Sequence, residues 1–288
     1  MPQNSYTCLI LAGNRRGVDD PLARAGGVTH KCFIDIAGVP MLRRVVAAVL
    51  ESGRVHHAVV SIDADRRGEA EAMLRSIKGS DRITVISSQP SIGGSVMAAI
   101  EQIPDALPLV ITTGDNALHT PEMVRYFCDA LDDCDGNVAL GLTDAEVLLK
   151  AYPDGQRSFH RFRNGRYSSC NLYALLDERA LRTPRAFDSG GQFAKKPWRF
   201  IFSFGIPAFV IYKTRWATLE GFLRYLSSRL KVETRPVFMP FAEGPIDVDR
   251  IADWEMANRI VGAREQREQE ALDQQQGDAS EQTHGLAA

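Results

Sequence analysis

Between Tyr6 and Leu142 the chain alternates short apolar runs with segments of helical periodicity, and this alternation constrains the fold more than any single motif. Tyr6–Ala12, Ala58–Ile62, Ile83–Ile86, Leu109–Thr112 and Val138–Leu142 read as buried strands. Met41–Leu50, Glu69–Ile77, Gly94–Ile103 and Pro121–Leu131 read as the helices between them. Pro40 near the start of the first helix and Gly53 beyond its end punctuate it as helix boundaries do. Strands alternating with helices of this length imply βαβ units and an α/β fold with a doubly wound, mostly parallel, Rossmann-like sheet.

The rhythm changes after Lys150. Arg157–Phe162 and Tyr167–Leu176 flank Asn164-Gly165, a strong hairpin dipeptide. Thr214–Leu230 reads as one long amphipathic helix with Trp216, Leu219, Phe222, Leu223, Leu226 and Leu230 on one side. A strand over Val232–Met239 and a helix over Arg250–Val261 follow. The expected organisation is one domain over 1–263, with 150–235 as a small insertion on the open side of the cleft. The Gln-, Glu- and Ser-rich tail over 264–288 has too few apolar residues to offset its ordering entropy and is expected to be disordered.

Composition narrows the function. Lys and Arg total 34 against 36 Asp and Glu, so no basic excess suits the chain to coat nucleic acid. Cys8, Cys32, Cys128, Cys134 and Cys170 form no C-x-x-C pair, which favours a reduced cytoplasmic setting over disulfides or zinc. The first residues have no basic-then-apolar leader pattern. The apolar run Phe200–Tyr212 is broken by Ser203, Gly205 and Pro207 and is too short to span a bilayer.

Three segments carry chemistry, each where an open α/β sheet binds ligands, outside the carboxyl ends of its strands. Leu11-Ala12-Gly13-Asn14 follows the first strand, and Gly13 lets backbone approach a phosphate. Arg15, Arg16 and Lys31 supply the positive charge that a triphosphate needs. Asp115, at the end of Ile111-Thr-Thr-Gly, is well placed to hold Mg²⁺. Its alternative role as a helix cap is weakened because Thr120 is the natural cap for the next helix. Asp247 and Asp249 flank one apolar residue and face the same side of an extended segment, although Asp249 could also cap the following helix. Lys195-Lys196-Pro-Trp-Arg199 is a compact basic group that could hold an acceptor phosphate or be a solvated face. The basic residues of the 214–230 helix leave peripheral membrane contact or pairing with another subunit open, beside the ordinary reading of a core-facing stripe.

Together these segments resemble the MobA-like NTP-transferase family, which includes molybdenum-cofactor guanylyltransferase and the sugar- and polyol-phosphate nucleotidyltransferases. Leu11-Ala12-Gly13, Arg15-Arg16, Lys31 and Gly38-Val-Pro40-Met-Leu42 match the family's opening in order. Thr113-Gly-Asp115-Asn-Ala-Leu118 resembles its first metal-binding stretch, and Asp247-Val-Asp249-Arg-Ile-Ala-Asp253 its second. Gly93-Gly94-Ser95 resembles the segment beside base and ribose, and Asn171 stands where relatives place a residue near acceptor or sugar. Two departures are Asn14 for the usual second glycine and His30 for the usual proline before the lysine.

The resemblance implies a GT-A-like nucleotidyltransferase fold and transfer of a nucleoside monophosphate from an NTP to a phosphorylated small-molecule acceptor. CTP is slightly preferred, with GTP or UTP open. Asp115 and Asp249 would bind Mg²⁺, with Asp247 in reserve. Lys31, Arg15 and Arg16 would neutralise the triphosphate. A monomer or homodimer fits equally. The competing readings are a GT-A-type glycosyltransferase, in which Asp247-Val-Asp249 would be the D-x-D metal motif, and a non-catalytic nucleotide sensor.

Overall fold

The computed structural model describes residues 5–14, 19–153, 159–186 and 204–285. In chain order the strands are β1 (Tyr6–Leu11), β2 (Asp35–Ile36), β3 (Val39–Pro40), β4 (Val55–Ile62), β5 (Ile83–Ser87), β6 (Leu109–Thr113), β7 (Val138–Asp144), β8 (His160–Phe162), β9 (Gly165–Leu175) and β10 (Thr234–Phe238). The helices are α1 (Pro21–Ala25), α2 (Met41–Glu51), α3 (Arg67–Leu74), α4 (Ile92–Gln102), α5 (Pro121–Asp132), α6 (Ala145–Ala151), α7 (Arg182–Ala186), α8 (Ile206–Thr214), α9 (Leu219–Leu230) and α10 (Ile251–Gly285).

Among the described residues, one sheet of eight strands runs in the order β10-β7-β9-β6-β1-β4-β5, with β8 paired to β9. β1 lies between β4 and β6, parallel to both, and β4 is parallel to β5. Both faces are covered, which is why the strands read as continuous apolar runs. Cys8 and Ile10 of β1 point to one side, where Val45, Val46 and Val49 of α2 and Val124 and Phe127 of α5 pack. Leu9 points to the other, against Val96 and Ala99 of α4.

The expected strands and helices from Tyr6 to Leu142 are present, and the sheet is α/β and mostly parallel as the alternation implies. β9 is the exception. It runs antiparallel between β6 and β7, so part of the 150–235 region lies inside the central sheet.

Thr214–Leu230 is not one helix. Arg215 turns left-handed at φ 59°, and the Thr218 hydroxyl accepts the Gly221 N–H at 3.1 Å, which starts α9 afresh. Trp216, expected on the buried stripe, falls in this break and is 83% exposed. The last helix begins where expected but outruns Val261. Ala257 and Val261 join the core, Arg264 donates to the Leu118 carbonyl at 3.1 Å, and residues 265–271 are exposed.

The loop after β6 is anchored from below. His119 is buried, and its Nε2 donates to the Gly244 carbonyl at 3.1 Å, joining this loop to the segment that carries Asp249. Burial, the largest influence, pushes its imidazole down to about 4, against the smaller opposing pull of the Gly244 and Cys170 carbonyls. An unfolded histidine takes up its proton near pH 6.5, so the folded form loses stability as pH falls from there towards 4. This single group is expected to cost roughly 3 kcal/mol across that window. Denaturant melts at stepped pH should therefore show a shallower acid slope for His119→Gln, which keeps a donor near the same place. An unchanged slope would contradict the buried neutral imidazole.

Candidate active site

The ends of β1, β4, β5 and β6 converge because small residues let them. The Gly114 N–H donates to the Leu11 carbonyl at 2.9 Å. A Cβ on Gly114 would lie 3.1 Å from both Ala12 Cβ and Cys32 Sγ, tighter than most side-chain contacts. Gly13 is similarly confined, since its Cβ would be 3.2 Å from Ser88 Cβ and Oγ. Leu11, Ala12, Gly13 and Asn14 thus form a bare backbone floor at the carboxyl edge of the sheet.

Lys31 opens a short 3-10 turn over Lys31–Phe33. His30 caps that turn, with Nδ1 accepting the Cys32 N–H at 3.1 Å. Its Nε2 therefore carries the ring proton and donates to Asp63 Oδ2 at 3.1 Å. Asp63 Oδ2 also accepts the Asn14 N–H at 2.8 Å, and Oδ1 accepts Ser88 Oγ–H at 3.2 Å. Burial alone would raise the Asp63 carboxyl, but these donors, His30 first among them, hold it below the usual range. Asp63 is the residue that sequence reasoning missed. It follows directly on a strand, the same signal that drew attention to Asp115.

The Lys31 ammonium lies between two carboxylates, 2.8 Å from Asp115 Oδ2 and 2.6 Å from Asp249 Oδ1. Burial would lower this amine, but Asp115 and then Asp249 more than offset it and hold it above the ordinary lysine value. The backbone repeats the link, since the Val248 N–H donates to the Asp115 carbonyl at 3.0 Å. Thr113 Oγ–H donates to Asp115 Oδ1 at 2.6 Å and fixes the other oxygen. Asp253 serves the start of α10, accepting the Arg250 N–H at 3.0 Å and the Asp249 N–H at 3.3 Å. Thr120, and not Asp115, caps α5, through the Met123 N–H at 3.2 Å. Asp247 stands between buried Ile246 and Val248, near enough to Tyr173 to act on its phenol, and does not bond Lys31.

Asn171 sits in β9 two residues before Tyr173, where pairing with β6 begins, at φ 50°. Its Nδ2–H donates to Asn116 Oδ1 at 3.1 Å, so β9 meets the Asp115 loop there. Asn116 is fully buried, and its own Nδ2 has no hydrogen-bond partner. Gly94 and Ser95 are at the start of α4. The Gly94 N–H donates to Ser91 Oγ at 2.9 Å, and Ser95 Oγ accepts the Gln89 N–H at 2.9 Å. Arg15, Arg16, Lys195 and Lys196 lie outside the described residues. Among the described residues no group of three or more His, Cys, Asp or Glu is gathered as a metal cage. The Asp115–Asp249 pair is the arrangement that remains.

Comparison with known proteins points one way. The model of the MobA-like NTP transferase domain matches residues 8–218. A 2-C-methyl-D-erythritol 4-phosphate cytidylyltransferase from Saccharopolyspora erythraea is 29% identical over 133 residues, spanning 45% of this chain and 56% of that protein. A hypothetical transferase from Thermus thermophilus superposes with a TM-score of 0.68 at 19% identity, covering 87% of this chain and 99% of that one. A 4-diphosphocytidyl-2C-methyl-D-erythritol synthase from Anaerococcus prevotii superposes at 0.54 with 11% identity, covering 90% and 99%. The two structures share the fold, and the domain match covers most of the ordered core. The chain belongs to the MobA-like NTP transferase family.

Proposed function

We propose that the protein transfers a nucleoside monophosphate from an NTP, CTP before GTP or UTP, to the phosphate of a small-molecule acceptor and releases pyrophosphate. The observation that carries this reading is the Lys31 ammonium held by both Asp115 and Asp249 beside the bare Gly13 turn. The cytidylyltransferase relative supports the choice of CTP.

The two carboxylates suit Mg²⁺, which is usually held by one or two acids together with substrate phosphates. The lysine ammonium between them already stands where a cation is wanted. Asp115 and Asp249 would hold the ion, with Asp247, two residues before Asp249, in reserve. When bound, Mg²⁺ would neutralise charge on the reacting phosphates.

The remaining chemistry falls to the chain. Lys31 would turn from the acids to the triphosphate and stabilise the charge that builds on the leaving pyrophosphate. Arg15 and Arg16 adjoin the same loop and would share that work. Backbone at Leu11 to Asn14, fixed by Asp63, would seat the phosphates. Gly94 and Ser95 would border the base and ribose. Asn171 would face the acceptor or sugar, and Lys195 and Lys196 are candidates for the acceptor phosphate.

An acceptor phosphate oxygen forms the new bond to the α-phosphorus while the bond to the β-phosphate bridging oxygen breaks. Such an oxygen is already ionised near neutral pH, so no side-chain base is required. No transition-state covalent partner is needed either, and rate comes from alignment and charge.

A pyrophosphate-release screen of the four NTPs against phosphorylated sugars, polyols and lipid head-groups should find turnover with CTP and Mg²⁺. Pyrophosphate release from no NTP with any acceptor would overturn the reading. With the active pair in hand, Asp115→Ala and Lys31→Ala should each lower kcat by about 10²-fold or more, the usual scale for removing a charge-stabilising group, while still melting cooperatively above the assay temperature. Full activity in Asp115→Ala would refute its role. Asp249→Asn should raise the Mg²⁺ concentration needed for half-maximal rate, while Asp247→Asn should leave it near wild type.

A further inference from the structure

Away from the cleft, the break between α8 and α9 gathers apolar and cationic side chains on one exposed face. α8 is almost wholly apolar, Ile206-Pro-Ala-Phe-Val-Ile-Tyr, before it ends in Lys213-Thr214. Its inner side is settled, since Ala208 packs with Phe204 and Phe222. Its outer side is not: Ile206 is 64% and Val210 48% exposed, and Trp216 beyond the helix is 83% exposed. Isolated exposed apolar residues are ordinary, but three large ones on one short segment are not.

The charges around them have one sign. Between Phe204 and Lys231 the basic residues are Lys213, Arg215, Arg224, Arg229 and Lys231, against the single acid Glu220. Glu220 is engaged by Asn164 Nδ2–H at 3.1 Å. Arg163, at the end of β8, is brought to the same place because its N–H donates to the Ala217 carbonyl at 3.0 Å. Arg163, Val210, Trp216 and Tyr225 border one shallow groove.

We infer that this face docks on an anionic lipid surface. An indole and two aliphatic side chains at the tip suit the boundary between headgroups and acyl chains, where aromatic rings with one polar edge collect. Lys213, Arg215 and Arg163 reach outward on flexible stems to the phosphates of the headgroups. The surplus of these cations over the single acid Glu220 is complementary to an anionic headgroup layer, which is what favours lipid as the occupant. No described helix is long and apolar enough to cross a membrane, so the contact is with the surface.

β9 connects this face to the cleft. Gly165 starts beside the groove and Asn171 meets the Asp115 loop six residues on, about 20 Å along an extended strand. Binding to lipid is read without turnover, so its outcome is separate from that of the catalytic reading.

The experiment is co-sedimentation of the full chain with vesicles of phosphatidylcholine alone or mixed with phosphatidylglycerol, at low and high salt. The protein should pellet with the mixed vesicles, be released by salt, and stay in solution with phosphatidylcholine alone. Trp216→Ala and the pair Lys213→Glu with Arg215→Glu should each weaken the apparent affinity roughly tenfold or more. Unchanged thermal melts would show that these variants fold. Absence of pelleting with the mixed vesicles at low salt would overturn the inference, as would pelleting unaffected by either variant. Sedimentation-velocity evidence of a dimer that Trp216→Ala dissociates would assign the face to a second copy instead.

Discussion

One ammonium group organises the cleft. Lys31 comes from the turn after α1, Asp115 from the loop after β6, and Asp249 from the segment before α10, and all three meet at Nζ. Opposite charges at this separation in a partly buried setting attract strongly, but only if the backbone brings them together cheaply. The Val248-to-Asp115 backbone bond and the His119-to-Gly244 bond do that, tying the late segment to the strand ends before any side chain reaches out. The lysine is 12% exposed and Asp115 23%, while Asp249 is 61% exposed. Asp115 is thus the more sheltered of the two carboxylates and Asp249 the more open to solvent.

The mixed sheet supplies the space. β9 first runs against β7 alone, from Tyr167 to Ser169, and joins β6 only from Tyr173 on, and Asn171 takes a left-handed turn in the register shift between the two stretches. A crevice opens where a strand leaves its neighbour, which is the general reason ligands bind at such points in open α/β sheets. The positive φ is sparsely populated for a side chain larger than glycine, and asparagine tolerates it best. Here it turns the Asn171 amide onto Asn116, whose own amide nitrogen is buried without a hydrogen-bond partner among the described residues.

Much of this was legible in the sequence, and for physical reasons. Strands buried on both faces leave a continuous apolar signature, so β1, β4, β5, β6 and β7 could be read directly. Gly13 and Asp115 could be read because they follow strand ends, where the fold exposes its chemistry, and Lys31 because it is a cation placed shortly before Gly38-Val-Pro40. Asp63 obeys the same rule, but its position after a strand is its only local mark, because its partners His30, Asn14 and Ser88 come from distant loops. The antiparallel course of β9 was hidden, since strand pairing over a long sequence distance leaves no local trace. The split of the 214–230 segment was hidden for the opposite reason. Helical periodicity runs on through Trp216, and only the Thr218 hydroxyl, bonded to the Gly221 N–H, marks the new start. The choice between Asp247 and Asp249 depended on which carboxylate reaches Lys31, a matter of two residues of register on the same side of an extended segment.

The central claim is that the Asp115–Asp249 pair, with Lys31 between, is a place where one divalent cation and a nucleotide's phosphates meet. The most direct measurement is a crystal structure with CTP and Mn²⁺, located by its anomalous scattering. The account predicts a single ion ligated by Asp115 and Asp249 and by phosphate oxygens, with Lys31 swung from the acids onto the phosphates. An ion held by other residues, or Lys31 still bridging both acids beneath a bound nucleotide, would contradict it.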